Sequence, residues 1–88
     1  MRTVSLKICN QRGLHARAAA KFVKLVAKFS ADVSVSKDRQ KVTGKSILGL
    51  MMLAAAMGDT IEVTVSGADE IVVIEAIAEL IENKFEEN

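Results

Sequence analysis

The spacing of apolar residues changes repeatedly between the two-residue repeat of a β-strand and the 3.6-residue repeat of an α-helix. This change of period is the strongest constraint on the fold, because a strand pattern buries one face and a helix pattern buries one stripe. The order that results is β-α-β-β-α-β-α. The predicted elements are strand 3–8, helix 16–29, strand 32–36, strand 41–43, helix 47–53, strand 60–65 and a helix from about 70 to near the C-terminus.

Each predicted helix carries one apolar stripe, which it must bury against a second layer of structure. Three helices of this kind fit best against one face of a four-stranded sheet. With 88 residues the chain is long enough for one thin core, so we expect residues 1–88 to form a single α+β domain.

Three details of the helices follow from local sequence. The buried stripe of the first helix is predicted from the spacing of its apolar residues. Gly58 is the predicted left-handed residue that follows the second helix. Asp69 and Glu70 favour the start of the third helix through capping and the helix dipole. The predicted stripe of the first helix consists of Ala16, Ala19, Ala20, Val23, Val26 and Ala27.

The cysteine and histidine content excludes several classes of protein. The chain has one cysteine and one histidine, so an internal disulfide is impossible and a Cys/His zinc site is not expected. We also expect no cofactor. No charged segment followed by an apolar one marks a signal peptide, and the apolar runs are too short to span a bilayer. We therefore expect a cytoplasmic protein that does not insert into membranes.

Charge is distributed unevenly along the chain. Residues 1–31 carry seven basic side chains and no acidic one, whereas residues 32–88 carry five basic and eleven acidic side chains. Such asymmetry indicates an oriented encounter with an acidic partner. Nucleic acid is not the expected partner, because the net charge is only +1 and the predicted strands offer no aromatic stacking platform.

Much of this positive charge falls on one stripe of the first helix. Arg17, Lys21, Lys24 and Lys28 are spaced at intervals of three or four residues, which places them on one face. A solvated face is as good an explanation of the spacing alone as a partner-binding face. The absence of acidic residues nearby in the sequence favours partner binding.

The segment Gly13-Leu14-His15-Ala16-Arg17 stands where a strand pattern gives way to a helix pattern. Most lone histidines are surface or capping residues. At a helix N-terminus, however, the backbone N–H groups of Ala16 and Arg17 can bind anionic oxygens, and Arg17 adds a planar cation. A neutral imidazole is nucleophilic, so this position can carry a phosphoryl group.

A second motif, Gly44-Lys45-Ser46-Ile47-Leu48-Gly49, lies at the start of the second helix, where Ser46 is a predicted N-cap. Together with the His15 segment, the length and the element order, it resembles the HPr family, the histidine-containing phosphocarriers of the bacterial phosphotransferase system, which includes the NPr branch. The likeness covers nearly the whole chain. Two positions depart from the usual pattern: Ala18 stands where proline is common, and Arg12 where a small polar residue is common.

The resemblance implies an open-faced β-sandwich with an antiparallel sheet and three helices on one face. It implies that His15 accepts a phosphoryl group from phospho-enzyme I, through Nδ1, and passes it to a IIA-type protein, so that the chain is a carrier rather than an enzyme. It also implies that Ser46 is a regulatory site for an HPr kinase/phosphorylase. Sugar uptake and the nitrogen branch both remain open as the pathway served.

A surface for these partners is expected beside His15. On the second helix, Leu50, Leu53 and Ala54 can face the sheet, which leaves an apolar cluster on the other side that is either more core or a docking patch. The resemblance assigns this region to contact with enzyme I and IIA proteins, and we expect the chain to be a monomer. The expected partner-binding residues are Ala20, Lys21, Lys24, Ile47, Leu48 and Met51.

Overall fold

The structure is a computed structural model that describes residues 1–86. Within these residues the predicted order of strands and helices is confirmed, with a four-stranded antiparallel sheet and three α-helices. The elements are β1 Arg2–Lys7, α1 Ala16–Val26, β2 Asp32–Lys37, β3 Gln40–Thr43, α2 Ile47–Met52, β4 Thr60–Ser66 and α3 Glu70–Glu82, followed by a turn of positive φ at Lys84–Glu86.

The strands lie in the order β1-β4-β2-β3, and all pairs are antiparallel. In this register Val63 of β4 is opposite Val4 on one side and Val35 on the other. Side chains of a strand alternate between the two faces of a sheet, so these valines share one face and pack against the helices. The other face carries hydroxyl and charged side chains, such as Thr3 and Thr64, whose hydroxyl groups are 2.9 Å apart.

The core lies between the apolar face of the sheet and the three helices. Because the helices cover only this face, the polar face stays open, as the predicted open-faced sandwich requires. The largest fully buried side chains are Phe22, Phe85, Ile8, Leu50, Ile61, Ile77, Ile81, Val26, Val35, Val63, Val65 and Val73.

The first helix differs from its prediction in length and in its buried face. Regular α-helix ends at Val26, and the chain then tightens through a bond from the Lys28 N–H to the Leu25 carbonyl oxygen. The predicted stripe was only partly right, because Ala16 and Ala27 are exposed. Alanine buries little area wherever it lies, so the larger side chains decide which face turns inward. The buried residues are Ala18, Ala19, Phe22 and Val26.

The ends of the other two helices also differ. The left-handed residue after α2 is Ala54, at φ +52°, and not Gly58, which has φ +92° in the turn that enters β4. Asp69 stands at the N-cap of α3, yet its side chain makes no capping bond within residues 1–86. Its Oδ2 instead accepts a hydrogen bond from the Ser30 N–H at 3.3 Å, which ties α3 to the end of α1.

Residues 1–86 contain neither a helix that could cross a membrane nor a cluster of side chains that could hold a metal ion. Of the helices in residues 1–86, none is long and apolar enough to cross a membrane. The same residues contain no group of three or more His, Cys, Asp or Glu side chains that could hold a metal ion.

Candidate functional site

The segment before His15 is a tight loop that rests on the chain between α2 and β4. Gly13 has φ +64°, a left-handed conformation that favours glycine, and a Cβ atom there would overlap the carbonyl oxygen of Ala55. The Asn10 side-chain amide donates to the Gly13 carbonyl oxygen at 2.8 Å. The Leu14 N–H donates to the Ala55 carbonyl oxygen, also at 2.8 Å. The residue immediately before His15 is therefore fixed from two sides.

His15 is the N-cap residue of α1, as its position in the sequence predicts. Its backbone is extended, with φ −82° and ψ −177°, and its carbonyl oxygen accepts the first helical bond, from the Ala19 N–H at 2.8 Å. The half-buried imidazole makes no capping hydrogen bond to the first turn within the described residues. The N–H groups of Ala16 and Arg17 have no carbonyl partner within the helix, so this end can bind an anion.

Beside this helix end lies a groove of about 580 Å³, and four of its nine lining residues are basic, with Glu86 the one acidic residue among them. Arg12 and Arg17 contribute two guanidinium groups, and Lys21 and Lys84 contribute two ammonium groups. The walls come from the neighbours of His15 rather than from the imidazole itself. Sequence reasoning singled out Arg17 and Lys21 but gave no role to Lys84, because that residue is distant in sequence and reaches the groove only through the fold.

One lysine of the basic stripe is already neutralised by the end of the chain. The Lys21 Nζ donates to the Phe85 carbonyl oxygen at 2.9 Å and lies 3.3 Å from the Glu86 carboxylate. Buried Phe85 anchors this tail in the core. Acidic residues are absent near the stripe in the sequence, but the fold brings Glu86 beside it. Arg17, Lys24 and Lys28 remain exposed.

The second motif forms the start of α2 and a hydrophobic patch. Ser46 is the N-cap, as predicted, and its hydroxyl oxygen accepts a hydrogen bond from the Gly49 N–H at 2.9 Å. Leu50 and Leu53 are buried as expected, but Ala54 is exposed because the left-handed turn directs the chain outward. The patch consists of Ile47, Leu48, Met51 and Met52, with exposed fractions of 41, 69, 40 and 65 per cent.

Helices α1 and α2 pack against each other, so the patch and the basic stripe belong to neighbouring parts of one surface. Ala20, which the sequence placed in the partner-binding set, is half-buried on α1. The structure thus brings the predicted site residues into two adjoining groups, one cationic on α1 and one apolar on α2.

The loop that supports the His15 segment is joined to β2 by an ion pair that sequence reasoning missed. The Lys37 Nζ lies 3.1 Å from the Asp59 carboxylate. A hydrogen bond from the Ala56 N–H, together with the nearby Lys37 ammonium, lowers the pKa of the Asp59 carboxyl below its usual value. Lys37 lies in a predicted turn and Asp59 lies beside a glycine. Nothing in the sequence pattern therefore indicated that these two residues would form an ion pair.

Comparison with known proteins identifies the family. The family model described as "PTS HPr component phosphorylation site" matches residues 3–83. The chain belongs to the HPr family. The phosphocarrier protein HPr of Neisseria meningitidis is 48% identical over 83 residues, which cover 94% of this chain and 93% of the relative. The phosphocarrier protein NPr of Shewanella violacea is 41% identical over 80 residues, or 91% and 88% of the two chains.

Solved structures support the same assignment. A crystal structure of HPr from Thermoanaerobacter tengcongensis superimposes with a TM-score of 0.94 at 44% identity, covering 100% of this chain and 99% of that one. An HPr dimer from the same organism gives a TM-score of 0.78 at 45% identity, covering 99% and 100%. The predicted HPr-like fold is therefore confirmed. As a member of this family the chain is a phosphocarrier of the phosphotransferase system and not a catalyst.

Proposed function

We propose that His15 accepts a phosphoryl group from phospho-enzyme I and transfers it to a IIA-type protein. The observation that carries this proposal is the geometry at the N-terminus of α1. The only histidine of the chain is the N-cap residue there, next to the helical N–H groups and Arg17, and a basic groove adjoins it. No residue elsewhere in the sequence could form a phosphohistidine.

The chemistry requires positioning and charge stabilisation more than proton transfer. The imidazole nitrogen lone pair, at Nδ1 by analogy with the family, forms a bond to phosphorus as the bond to the donor breaks. The N–H groups of Ala16 and Arg17 and the Arg17 guanidinium bind the oxygens that carry the negative charge. Onward transfer reverses these roles, which suits a carrier whose phosphoryl group keeps a high transfer potential.

The adjoining surface is the proposed docking site for both partners. Exposed basic residues attract an acidic partner and orient its approach. The apolar patch of α2, with Ile47, Leu48 and Met51, then provides contact area, and methionine adapts to different partners. Ala20, Lys21 and Lys24 on α1 complete the set. In this proposal the chain works as a cytoplasmic monomer, which size-exclusion chromatography with light scattering tests.

Ser46 is the proposed site of regulation by an HPr kinase/phosphorylase. A phosphate on Ser46 would stand at the N-terminus of α2, where a negative charge is tolerated. It would also add about two negative charges beside the patch that receives acidic partners. We therefore propose that this modification weakens docking without unfolding the domain.

The test of the proposed function is incubation with enzyme I and phosphoenolpyruvate. We expect one phosphoryl group per chain that is labile in acid and stable in base, and its complete loss in His15→Ala. Arg17→Gln should accept the group more slowly. Phosphate that persists in His15→Ala, or that is stable in acid, would contradict the proposal.

The pathway that receives the group is open between sugar uptake and the nitrogen branch, since relatives named HPr and NPr both match the chain. Transfer rates from the phosphorylated chain to a sugar-specific IIA protein and to a nitrogen-branch IIA protein, measured side by side, decide between them.

A further inference from the structure

We propose that Lys37 and Asp59 are positioning residues for His15, acting through the loop on which the His15 segment rests. This loop, residues 53–59, is called the platform loop below. The inference rests on the proposed phosphoryl transfer at His15, because it assigns to the pair an effect on that reaction. Neither side chain contacts the phosphoryl site; both act through the backbone between them and His15.

Lys37 gathers three oxygens of the platform loop around its ammonium group. The Nζ lies 3.4 Å from the Leu53 carbonyl oxygen, 3.2 Å from that of Ala54, and 3.1 Å from the Asp59 carboxylate. The two carbonyl groups are at the C-terminus of α2, where a cation is stabilised by the helix dipole. The ammonium therefore joins the beginning of the platform loop to its end.

This contact falls at a strained position of the backbone. Ala54 has φ +52°, a left-handed conformation that residues other than glycine rarely adopt. Such a conformation persists only where its surroundings hold it in place. The hydrogen bond from Lys37 to the Ala54 carbonyl oxygen supplies one of these restraints, so the lysine contributes to the path that the chain takes out of α2.

Asp59 fixes the other end of the platform loop. Its Oδ2 accepts from the Ala56 N–H at 2.9 Å, and its own N–H donates to the Ala56 carbonyl oxygen at 2.9 Å. The backbone here is also tied to the end of the first strand, with the Ile8 N–H donating to the Asp59 carbonyl oxygen at 2.8 Å. The turn at 56–59 is thereby closed on both sides.

Between these two anchors lies the residue that holds the His15 segment. The Ala55 carbonyl oxygen accepts the Leu14 N–H at 2.8 Å, and Gly13 packs directly on the backbone of Ala55 and Ala56. Leu14 and Ala55 are each only 4% exposed. A movement of Ala55 is therefore transmitted to Leu14, and His15 follows next in the chain.

The test is the substitution Lys37→Met, which keeps an unbranched apolar stem and removes the ammonium group. Lys41→Met is the matched control, because Lys41 lies on the same hairpin opposite Ser36, on the open face of the sheet. We expect Lys37→Met to accept phosphate from enzyme I about tenfold more slowly per folded molecule, as small misplacements of reacting groups do. The loss should fall on the maximal rate rather than on KM, and Lys37→Arg should restore most of it.

A second readout follows the platform loop directly and needs no phosphate. Exchange of the Leu14 amide hydrogen should be about tenfold faster in Lys37→Met, as expected when a hydrogen bond is weakened. Asp59→Asn should show the same change to a smaller extent. Lys41→Met should leave both the rate and the exchange unchanged.

The outcomes separate this inference from the proposed function. If neither wild type nor the variants accept phosphate, the proposed function fails. Hydrogen exchange then tests the inference separately, and an unchanged exchange rate of the Leu14 amide in Lys37→Met overturns it. If wild type accepts phosphate and Lys37→Met matches its rate per folded molecule, the inference is overturned. A lower melting temperature with an unchanged rate also overturns it, because the pair is then structural only.

Discussion

The N-termini of α1 and α2 both need partners for their first backbone N–H groups, and the two N-cap residues differ in whether their side chains supply one. In both helices the first N–H groups lack carbonyl partners within the helix. In α2 the Ser46 hydroxyl accepts one of them, from Gly49 at 2.9 Å. In α1 the N-cap residue is His15, and within residues 1–86 its side chain makes no capping bond. A side chain that caps helices well stands at one end, and the imidazole of His15 stands at the other.

In the proposed function the first helix end receives an anion, whereas the Ser46 hydroxyl already accepts an N–H group at the second. Histidine is a poor N-cap compared with Ser, Thr, Asp or Asn. The helix α1 can tolerate it because the preceding residue, Leu14, is fixed by its bond to Ala55. The hydrogen bond from Leu14 to Ala55 thus supports the start of α1 from outside the helix.

The largest expected effect comes from giving the N-terminus of α1 a capping side chain. His15→Asp should abolish phosphoryl acceptance and at the same time raise the free energy of unfolding by about 0.5–1 kcal/mol through capping and the helix dipole. His15→Ala should abolish acceptance without the gain. Phosphoryl-transfer assays and denaturant unfolding measure the two quantities. A less stable His15→Asp would show that His15 already acts as the structural cap.

Removing the support of the N-terminus of α1 should cost stability and activity together. Gly13→Ala places a Cβ against the Ala55 carbonyl oxygen at φ +64°, so we expect a loss of about 3 kcal/mol. Gly58→Ala is the control. Its φ is +92°, but no described atom lies within 4 Å of the added Cβ, so only backbone strain of about 1 kcal/mol is expected. Equal losses in urea unfolding would mean that contact with the platform loop is unimportant.

Removing the Ser46 cap at the start of α2 should lower stability and leave phosphoryl acceptance nearly unchanged. Ser46→Ala loses the cap and about 1 kcal/mol of stability, yet should accept phosphate at nearly the wild-type rate. Ser46→Asp keeps a capping oxygen and should instead bind enzyme I more weakly, because it adds charge beside the docking patch. Unfolding curves and titration calorimetry distinguish the two variants. Unchanged affinity in Ser46→Asp would contradict the proposed regulation.

The smallest expected effect is a loss of stability in acid. The pKa of Asp59 is lowered in the folded state by the Ala56 N–H and by Lys37. Its stabilising contribution is therefore complete above its unfolded pKa of about 3.9 and is lost as the pH falls through the lower, folded value. The measurement is the protection of the Leu14 amide against hydrogen exchange, relative to an unfolded amide, at pH 5 and at pH 3. The loss of protection at pH 3 should be smaller in Asp59→Asn than in wild type.

The sequence was a good guide where side chains act through their immediate neighbours. Ser46 caps the residue three positions on, and His15 stands where the period of the pattern changes, so local rules located both helix ends. The apolar patch of α2 was also correct for Ile47, Leu48 and Met51, because a six-residue helix has room for only one buried face.

Sequence reasoning was wrong or silent where distant residues decide the structure. Glycine favours the left-handed conformation, so Gly58 was the natural choice to end α2, but Ala54 adopts it instead, with its carbonyl oxygen bonded to Lys37 from another strand. Glu86 pairs with Lys21 only because buried Phe85 brings the tail back to α1. Contacts of this kind depend on the packed fold and leave no periodic pattern.

The proposal that most needs a test is that the N-terminus of α1 binds the phosphoryl group carried by His15. The most direct measurement is the change in backbone amide resonances when the chain is phosphorylated by enzyme I and phosphoenolpyruvate. We expect large downfield shifts of the Ala16 and Arg17 amide protons and little change at Gly49, whose N–H is already bonded to Ser46. Shifts centred on Gly49 and the start of α2, with Ala16 and Arg17 unmoved, would contradict it.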